Sequence, residues 1–494
     1  MRNLFLIFAA ILCCLPGITL AQLVPLKTIP VASGDQFMVF PSQNLGMGNP
    51  SIALDDPYAD PFINPAKGIR LNEFTVFSAP TFYNITDENG SARTLPFGVL
   101  VNTGDWFGGF TFSAQELEGR QTSRFIPFAR VDGALDFIPS FQPPLEDKAK
   151  SNLYMSGLLG TEVSPNLSFA TSIFFADLNA VEGVDLLYPR SNSIEQFGTV
   201  FDFRAGFLGK IDNRRFYEIL LLHNRFNMTH NVNYGLIFED FPTGGEFVEQ
   251  IEKNLDRTNT WGAHFGYVQP LGHNDWKIGG ILTVNRKDHP KIPNFELVNI
   301  PRDPGNSWAF ATGVGIAMND GPATFAADLI FEPIWSHTWA EAAEPVQTFS
   351  GQTIPAGGRT IENDFQFRNW LLKMGIGHQA EVFGFQLGMQ MRLIRYQLEQ
   401  DNLVEGFQRF QKESWTEWTP SIGFNMNFPE FHIRYTGRFT TGTGQPGIIS
   451  GIFAEDAALA APGNDIIAAP GGSLTVQETL VFSHQFTLSI PIRR

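Results

Sequence analysis

Cysteine is all but absent from this 494-residue chain: only Cys13 and Cys14 occur, and both fall in a stretch that reads as a removable leader. A disulfide framework and thiolate chemistry are therefore excluded for the rest of the chain. Charge is scarce as well. Asp, Glu, Lys and Arg make up 17%, against about 25% in ordinary soluble chains. The acidic excess gives a formal net charge of -16, and without a Lys/Arg-rich patch there is no electrostatic footprint for nucleic acid. Long apolar runs are missing too. Beyond the N-terminus nothing approaches the roughly 18 residues of a spanning helix, and mean hydropathy is -0.07. A helical membrane protein is excluded. Phenylalanine, by contrast, is abundant at 47 positions, and the 43% hydrophobic content is too high for wholesale disorder.

The first 21 residues carry Arg2, an apolar stretch from Leu4 to Leu15, a Pro16-Gly17 break and Thr19-Leu20-Ala21 before Gln22. This pattern predicts a cleaved secretory signal peptide. Leu12 stands where a lipoprotein signal needs a small residue, so lipidation of Cys13 is not expected.

From about residue 72 one pattern recurs. In Phe385-Gln386-Leu387-Gly388-Met389-Gln390-Met391-Arg392-Leu393 every odd position is apolar and every even one is Gln, Gly or Arg. Phe431 to Phe439, Trp418 to Phe428 and Leu480 to Ile492 alternate in the same way. Period two with chemically opposite faces marks strands wetted on one side. The strands read as roughly 11 to 15 residues, beyond the globular mean of about 5 to 6 and ample for a tilted membrane strand. Trp106, Trp261, Trp276, Trp308, Trp335, Trp370, Trp415 and Trp418 read as near strand ends, the depth that interfacial aromatics favour.

Connection lengths supply a second signal. Short turns at 103–105, 164–166, 211–214, 271–275, 319–321, 381–383 and 428–430 alternate with long polar or Gly/Pro-rich connections. The long ones read as 83–93, 117–150, 180–197, 231–257, 288–306, 337–363, 400–413 and 442–475, the last with an Ala-rich lid-like run at 453–472. The expected fold is all-β: an antiparallel transmembrane β-barrel of 14–16 strands, 16 by hairpin count, with long external loops and both barrel ends on the periplasmic side. The expected location is the outer membrane of a Gram-negative cell.

Residues 22–71 do not alternate. Gly, Pro and Asp are dense there, while Ile52, Leu54, Tyr58, Phe62 and Ile63 are too apolar for a tether. Such a segment would bury those groups as a hatch or plug in the barrel. Three pieces stand out: Gly46-Met47-Gly48, Ala53-Leu54-Asp55-Asp56, and Asn64-Pro65-Ala66 just before the first strand. Together they resemble the N-terminal pattern of the outer-membrane long-chain fatty-acid transporter family (FadL-like), including related Bacteroidetes-type PorV-like barrels. That resemblance implies a hatch motif at Gly46, Gly48, Asp55, Asp56, Asn64, Pro65 and Ala66, and passive movement of hydrophobic compounds with a sideways exit. Two features depart from the family: its barrels have 14 strands, and this chain ends Ile492-Arg493-Arg494 instead of on an aromatic residue.

The alternation also predicts an inward polar set: Asp202, Arg204, His264, Lys277, Asp328, Glu332, Arg392, His432, Arg434 and Arg438. Internal pairing is the favoured reading, with Arg392, Arg434 and Arg438 expected to meet the acids of 46–60. No His-Glu-x-x-His, Walker or Gly-x-Ser-x-Gly motif occurs, so neither catalysis, a metal nor a cofactor is expected. The functional expectation is a hatch-gated channel for hydrophobic or amphipathic, fatty-acid-like molecules, in contact with outer-membrane lipid. The alternative is a non-catalytic barrel scaffold or shuttle with a secreted protein as partner.

Overall fold

The computed structural model describes residues 30–492 apart from 72–73, 88, 120–148, 185–192, 213, 239–246, 273–274, 290–304, 343–344 and 447–475. The expected signal peptide (1–21), most of the 117–150 connection and the 453–472 run thus lie outside the described residues, as does 22–29.

The strands are β1 (Phe74–Ser78), β2 (Thr81–Ile85), β3 (Ser91–Asn102), β4 (Trp106–Glu118), β5 (Ala149–Ser164), β6 (Leu167–Leu178) and β7 (Ser193–Lys210). There follow β8 (Phe216–Phe238), β9 (Phe247–Pro270), β10 (Trp276–His289), β11 (Gly305–Asp320) and β12 (Ala323–Glu341). A small hairpin, β13 (Val346–Gln347) with β14 (Thr353–Ile354), sits in the next connection. The wall ends with β15 (Arg359–Gln379), β16 (Phe383–Asn402), β17 (Phe407–Asn427), β18 (His432–Pro446) and β19 (Val476–Ile492).

Neighbouring strands pair antiparallel all the way round. β19 closes the ring through Val76↔Ile490 and Tyr83↔Ser483. β1 and β2 form one stave, interrupted at Ala79-Pro80 but in one register with both neighbours; proline has no N–H to give the ladder. With that stave counted once and the β13–β14 hairpin left out, the barrel has 16 staves.

The two faces are inverted relative to a soluble barrel. On β19, Ser483, Gln485, Thr487 and Ser489 are buried, whereas Phe482, Phe486, Leu488 and Ile490 are exposed. On β10 the outward set is Trp276, Ile278, Gly280, Leu282 and Val284 before Arg286, and the intervening Thr283 and Asn285 are buried. Ten residues separate Trp276 from Arg286, or about 33 Å of strand, which a tilt near 40° reduces to about 25 Å of height. That is the thickness of a membrane barrel's apolar band. On the loop side it ends in a register row of Trp261, Arg286, Trp308 and Trp335. On the turn side Trp106 and Trp276 open their strands. The chain is a transmembrane β-barrel, and among the described residues no helix is long and apolar enough to cross a membrane.

Several expected long loops are strand. β8 and β9 pair out to Phe238↔Phe247, well into the 231–257 connection. β16 and β17 pair up to Asn402↔Phe407, leaving only 403–406 between them, and 86–90 alone separates β2 from β3. Trp261, Trp370 and Trp418 accordingly fall within strands rather than at their ends. Beyond the bilayer a strand no longer faces lipid, so it keeps its hydrogen bonds without an apolar alternation to reveal it.

Candidate functional site

The lumen is filled by residues 30–71. Its regular pieces are brief: a turn of 3-10 helix at Leu45–Met47, a helix at Asp60–Ile63 and a second 3-10 turn at Pro65–Arg70. Local chemistry explains each end. Gly48 closes the first piece at a φ of 76°, in the left-handed region. Asn64 caps the last, its Oδ1 accepting from the Ala66 N–H at 3.2 Å, with Pro65 at the first position. Asp56 organises the middle. Its carboxylate accepts from Ser42 Oγ at 2.7 Å, from the N–H groups of Gln43 and Asn44 at 2.7 and 3.1 Å, and from those of Tyr58 and Ala59 at 3.1 Å each.

Wall side chains from all round the barrel hold this segment. Ser421 Oγ accepts from Gly48 N–H at 3.0 Å and donates to the Gly46 carbonyl at 3.1 Å. Asp328 accepts from the Ser51 and Ile52 N–H groups at 2.6 and 3.2 Å. Arg204, paired with Asp202 at 2.8 Å, donates to the Phe62 and Ile63 carbonyls. Gln386 donates to Gln43 O, and Gln485 to Phe40 O. Arg438 pairs with Asp35. At the loop side, residues 30–32 add a short parallel bridge to β18, with Gly444 N–H donating to Pro30 O at 3.0 Å and Ala32 N–H to Gly444 O at 2.8 Å.

Close backbone approach needs glycine in the wall. A Cβ on Gly388 would lie 2.0 Å from the Met47 carbonyl carbon, and one on Gly375 2.2 Å from its oxygen. Apolar packing completes the seat: Ile52 joins Ala311, Ile330 and Leu371, and Phe62 and Ala66 join Phe77, Leu100, Phe107 and Leu208.

A charge cluster ties the turn-side end. Lys67 Nζ lies 3.1 Å from Glu218 and 3.7 Å from Asp60, and Asn64 Nδ2 donates to Glu218 at 2.8 Å. His264 approaches Glu218 at 3.8 Å while its Nδ1 meets Thr283 Oγ1 at 2.7 Å. Asp55 pairs with Arg70 and, at 3.1 Å, with Lys277. Burial disfavours the charge on Asp55, but Arg70, Lys277 and Lys67 outweigh it and hold its carboxyl below the ordinary range. Burial pushes Asp60 up to about 7; Lys67 opposes this, while Asp56, Asp55 and Glu218 add to it. A cavity of about 220 Å³ lined by Asp55, Pro57, Asp60, Lys67, Arg70 and Leu71 opens beneath the segment.

Loopward of the segment the inner wall changes character. Asp328, Glu332, Lys373, Arg392 and Glu417 form a charged tier, with Asp328 opposite Lys373 and Arg392 opposite Glu417. Above it Phe365, Phe367, Tyr396, Leu398, Ile334 and Ala309 cluster with Trp415. Their rings succeed one another at 5.8 Å (Phe365–Phe367), 5.9 Å (Phe367–Tyr396) and 5.7 Å (Tyr396–Trp415).

The partners differ from those expected for two of the three arginines. Arg438 meets Asp35, outside 46–60, and Arg392 faces a wall acid. Arg434 lies 5.7 Å from the Tyr58 ring and within electrostatic reach of Asp56, whose carboxylate takes its hydrogen bonds from Ser42 and four backbone N–H groups. His432, at the turn-side start of β18, stands opposite Asn427 and Ser489, away from the Lys67 cluster. Lys67, Glu218, Lys373, Glu417 and Ser421 went unnoticed in the sequence. Strand parity places the last four inside; Ser421 even stands on the regular Trp418 to Phe428 alternation, but parity does not tell which inward polar residue meets the segment. Among the described residues no group of three His, Cys, Asp or Glu side chains is placed to hold a metal.

The fold defines a transmembrane β-barrel with residues 30–71 packed against its inner wall. No protein-family model and no curated protein matches the sequence. Among solved structures, a Pseudomonas aeruginosa FadL homologue is similar at 11% identity over 91% of this chain and 98% of its own, with a TM-score of 0.45. The Ralstonia pickettii toluene transporter TbuX is similar at 10% identity over 91% and 97%, with a TM-score of 0.38. The P. putida toluene transporter TodX gives 10%, 91%, 98% and 0.37. At these scores the likeness carries no argument about substrate or mechanism.

Proposed function

We propose that the protein is a non-catalytic outer-membrane channel for passive uptake of hydrophobic or amphipathic small molecules, gated by residues 22–71. The observation that carries this is the inward aromatic tier around Phe365, Phe367, Tyr396 and Trp415, set directly above a segment that fills the lumen. A water-filled porin has no use for such a surface, because its interior is polar. An apolar solute gains from it at about 25 cal/mol per Å² of apolar surface removed from water. The charged tier beneath would hold a polar headgroup while the apolar tail stays against the rings. A scaffold that only presents its loops to a secreted protein gains nothing from an inward aromatic surface.

The test pairs two measurements on the mature protein and on a variant lacking residues 23–71. In planar bilayers the intact form should be silent and the truncated form should open large steps. In proteoliposomes the intact form should admit a fluorescent long-chain fatty acid, and Phe367→Asp with Tyr396→Asp should slow entry at least fivefold. Equal conductance of both forms would remove the gate, and unchanged entry in the double variant would remove the aromatic path.

A further inference from the structure

The outer wall carries a cationic patch that solute passage does not require. On β15 and β16 the pairs Phe367↔Tyr396 and Trp370↔Leu393 set Arg368 opposite Arg395. Both side chains point outward and are exposed. Like charges directly opposite on one face are destabilising unless an anion lies between them. Across the neighbouring strands the same row continues to Pro333 on β12 and Ser414 on β17. Lys412, also exposed and outward, stands one outward step from Ser414. The remaining outward residues around the pair are Phe331, Trp335, Gln366, Trp370, Leu393 and Gln397, none of them acidic. The nearest outward acids are Asp364, engaged by His337 at 2.8 Å, and Glu399, each a further step loopward. Arg368 donates only to Gln366, at 3.4 Å, and neither arginine makes an ion pair among the described residues. By contrast, Arg286 on the Trp row has Asp288 at 3.3 Å.

The height of the patch identifies the anion. Gln366 is the register partner of Trp335, so the arginines sit one outward step below the tryptophan row, with Trp370 and Leu393 on their membrane side. Their backbone lies one step inside the edge of the apolar band, and from there a long arginine side chain reaches up to lipid headgroups, not to bulk solution. Two guanidinium groups stand side by side in that row, the Lys412 ammonium lies a step loopward over the Phe410 ring at 4.8 Å, and guanidinium matches phosphate oxygens bidentately.

We propose that Arg368, Arg395 and Lys412 form a binding site for the phosphate of a lipid headgroup in the loop-side leaflet. The site is separate from the uptake pathway and stands whether or not solute crosses the lumen. Delipidated protein in a neutral detergent is titrated by native mass spectrometry with three probes: bisphosphorylated lipid A, its dephosphorylated form and inorganic phosphate. Wild type should retain the phosphorylated lipid and not the dephosphorylated one, and Arg368→Gln/Arg395→Gln/Lys412→Gln should weaken retention at least tenfold. Arg93→Gln, an outward arginine already facing Glu116 at 4.0 Å, should leave it unchanged. Arg368→Lys/Arg395→Lys, which keeps the charge but loses the forks, should fall between. Heat-modifiable mobility on gels checks folding, and Arg395→Gln alone replaces the triple variant if that one fails to fold. Equal retention by wild type and the folded variant overturns the site. Inorganic phosphate binding as tightly as the lipid overturns the lipid assignment.

Discussion

Glu218→Gln should loosen the lumen segment without unfolding the barrel. Glu218 and Lys67 are only 14% and 12% exposed and lie 3.1 Å apart, so the substitution strands a buried ammonium. Removing one partner of a buried pair costs about 3–5 kcal/mol. Asp60 remains 3.7 Å from Lys67, which puts the expectation at the low end, about 3 kcal/mol. At about 1.4 kcal/mol per tenfold, the unseated population rises roughly 150-fold. Cys13 and Cys14 are the chain's only cysteines, so in protein made without residues 1–21 Ala53→Cys, at a position 3% exposed, provides a clean reporter. Maleimide labelling should accelerate about 100-fold in Glu218→Gln while heat-modifiable mobility stays intact. Glu218→Gln with Lys67→Met removes both charges and should restore much of the protection, with a coupling of about 2 kcal/mol or more. A labelling rate within twofold of the parent, or strictly additive effects in the double variant, would refute the idea that this pair holds the segment.

Asp60 supplies a pH test. Its seated carboxyl is raised to about 7 against about 3.9 when free, so in that window the seated form holds a proton that the released form lacks. Seating should therefore strengthen as pH falls through 7 and level off near 4; labelling at Ala53→Cys should slow from pH 8 to pH 5, and an equal slope in Asp60→Asn would count against it. Gly388→Val places side-chain atoms where Met47 backbone lies 2.0 Å from a Cβ, so it should displace the 45–48 turn and raise bilayer conductance; a silent, fully protected variant would contradict that packing. Asp328→Ala removes the acceptor of the Ser51 and Ile52 N–H groups, a loss of about 1–3 kcal/mol, and hydrogen exchange at those two amides should rise by one to two orders of magnitude.

The wall was legible because each outward side chain meets lipid whatever its neighbours are. Phe385, Leu387 and Leu393 reveal their strand through position alone, and the seven short turns fixed the stave number. Strand ends beyond the bilayer were not legible, since Ile251 to Arg257 carries no lipid-facing pattern although it pairs along its whole length with β8. The 46–66 segment stood out by its Gly, Pro and Asp content and its unspent apolar residues. Its partners did not.

The sequence by itself determined the barrel, its inverted faces and a non-strand segment ahead of it, since period two and turn chemistry are local. Only the tertiary structure decided that Lys67 meets Glu218 and Asp60, that Gly375 and Gly388 make room for Met47, and that Arg368 confronts Arg395 on the outer wall. Those contacts join residues as much as 341 positions apart (47 and 388), and they depend on register and on the path of residues 30–71 through the lumen. Local alternation tells which side of the wall a residue faces, but not what it meets there.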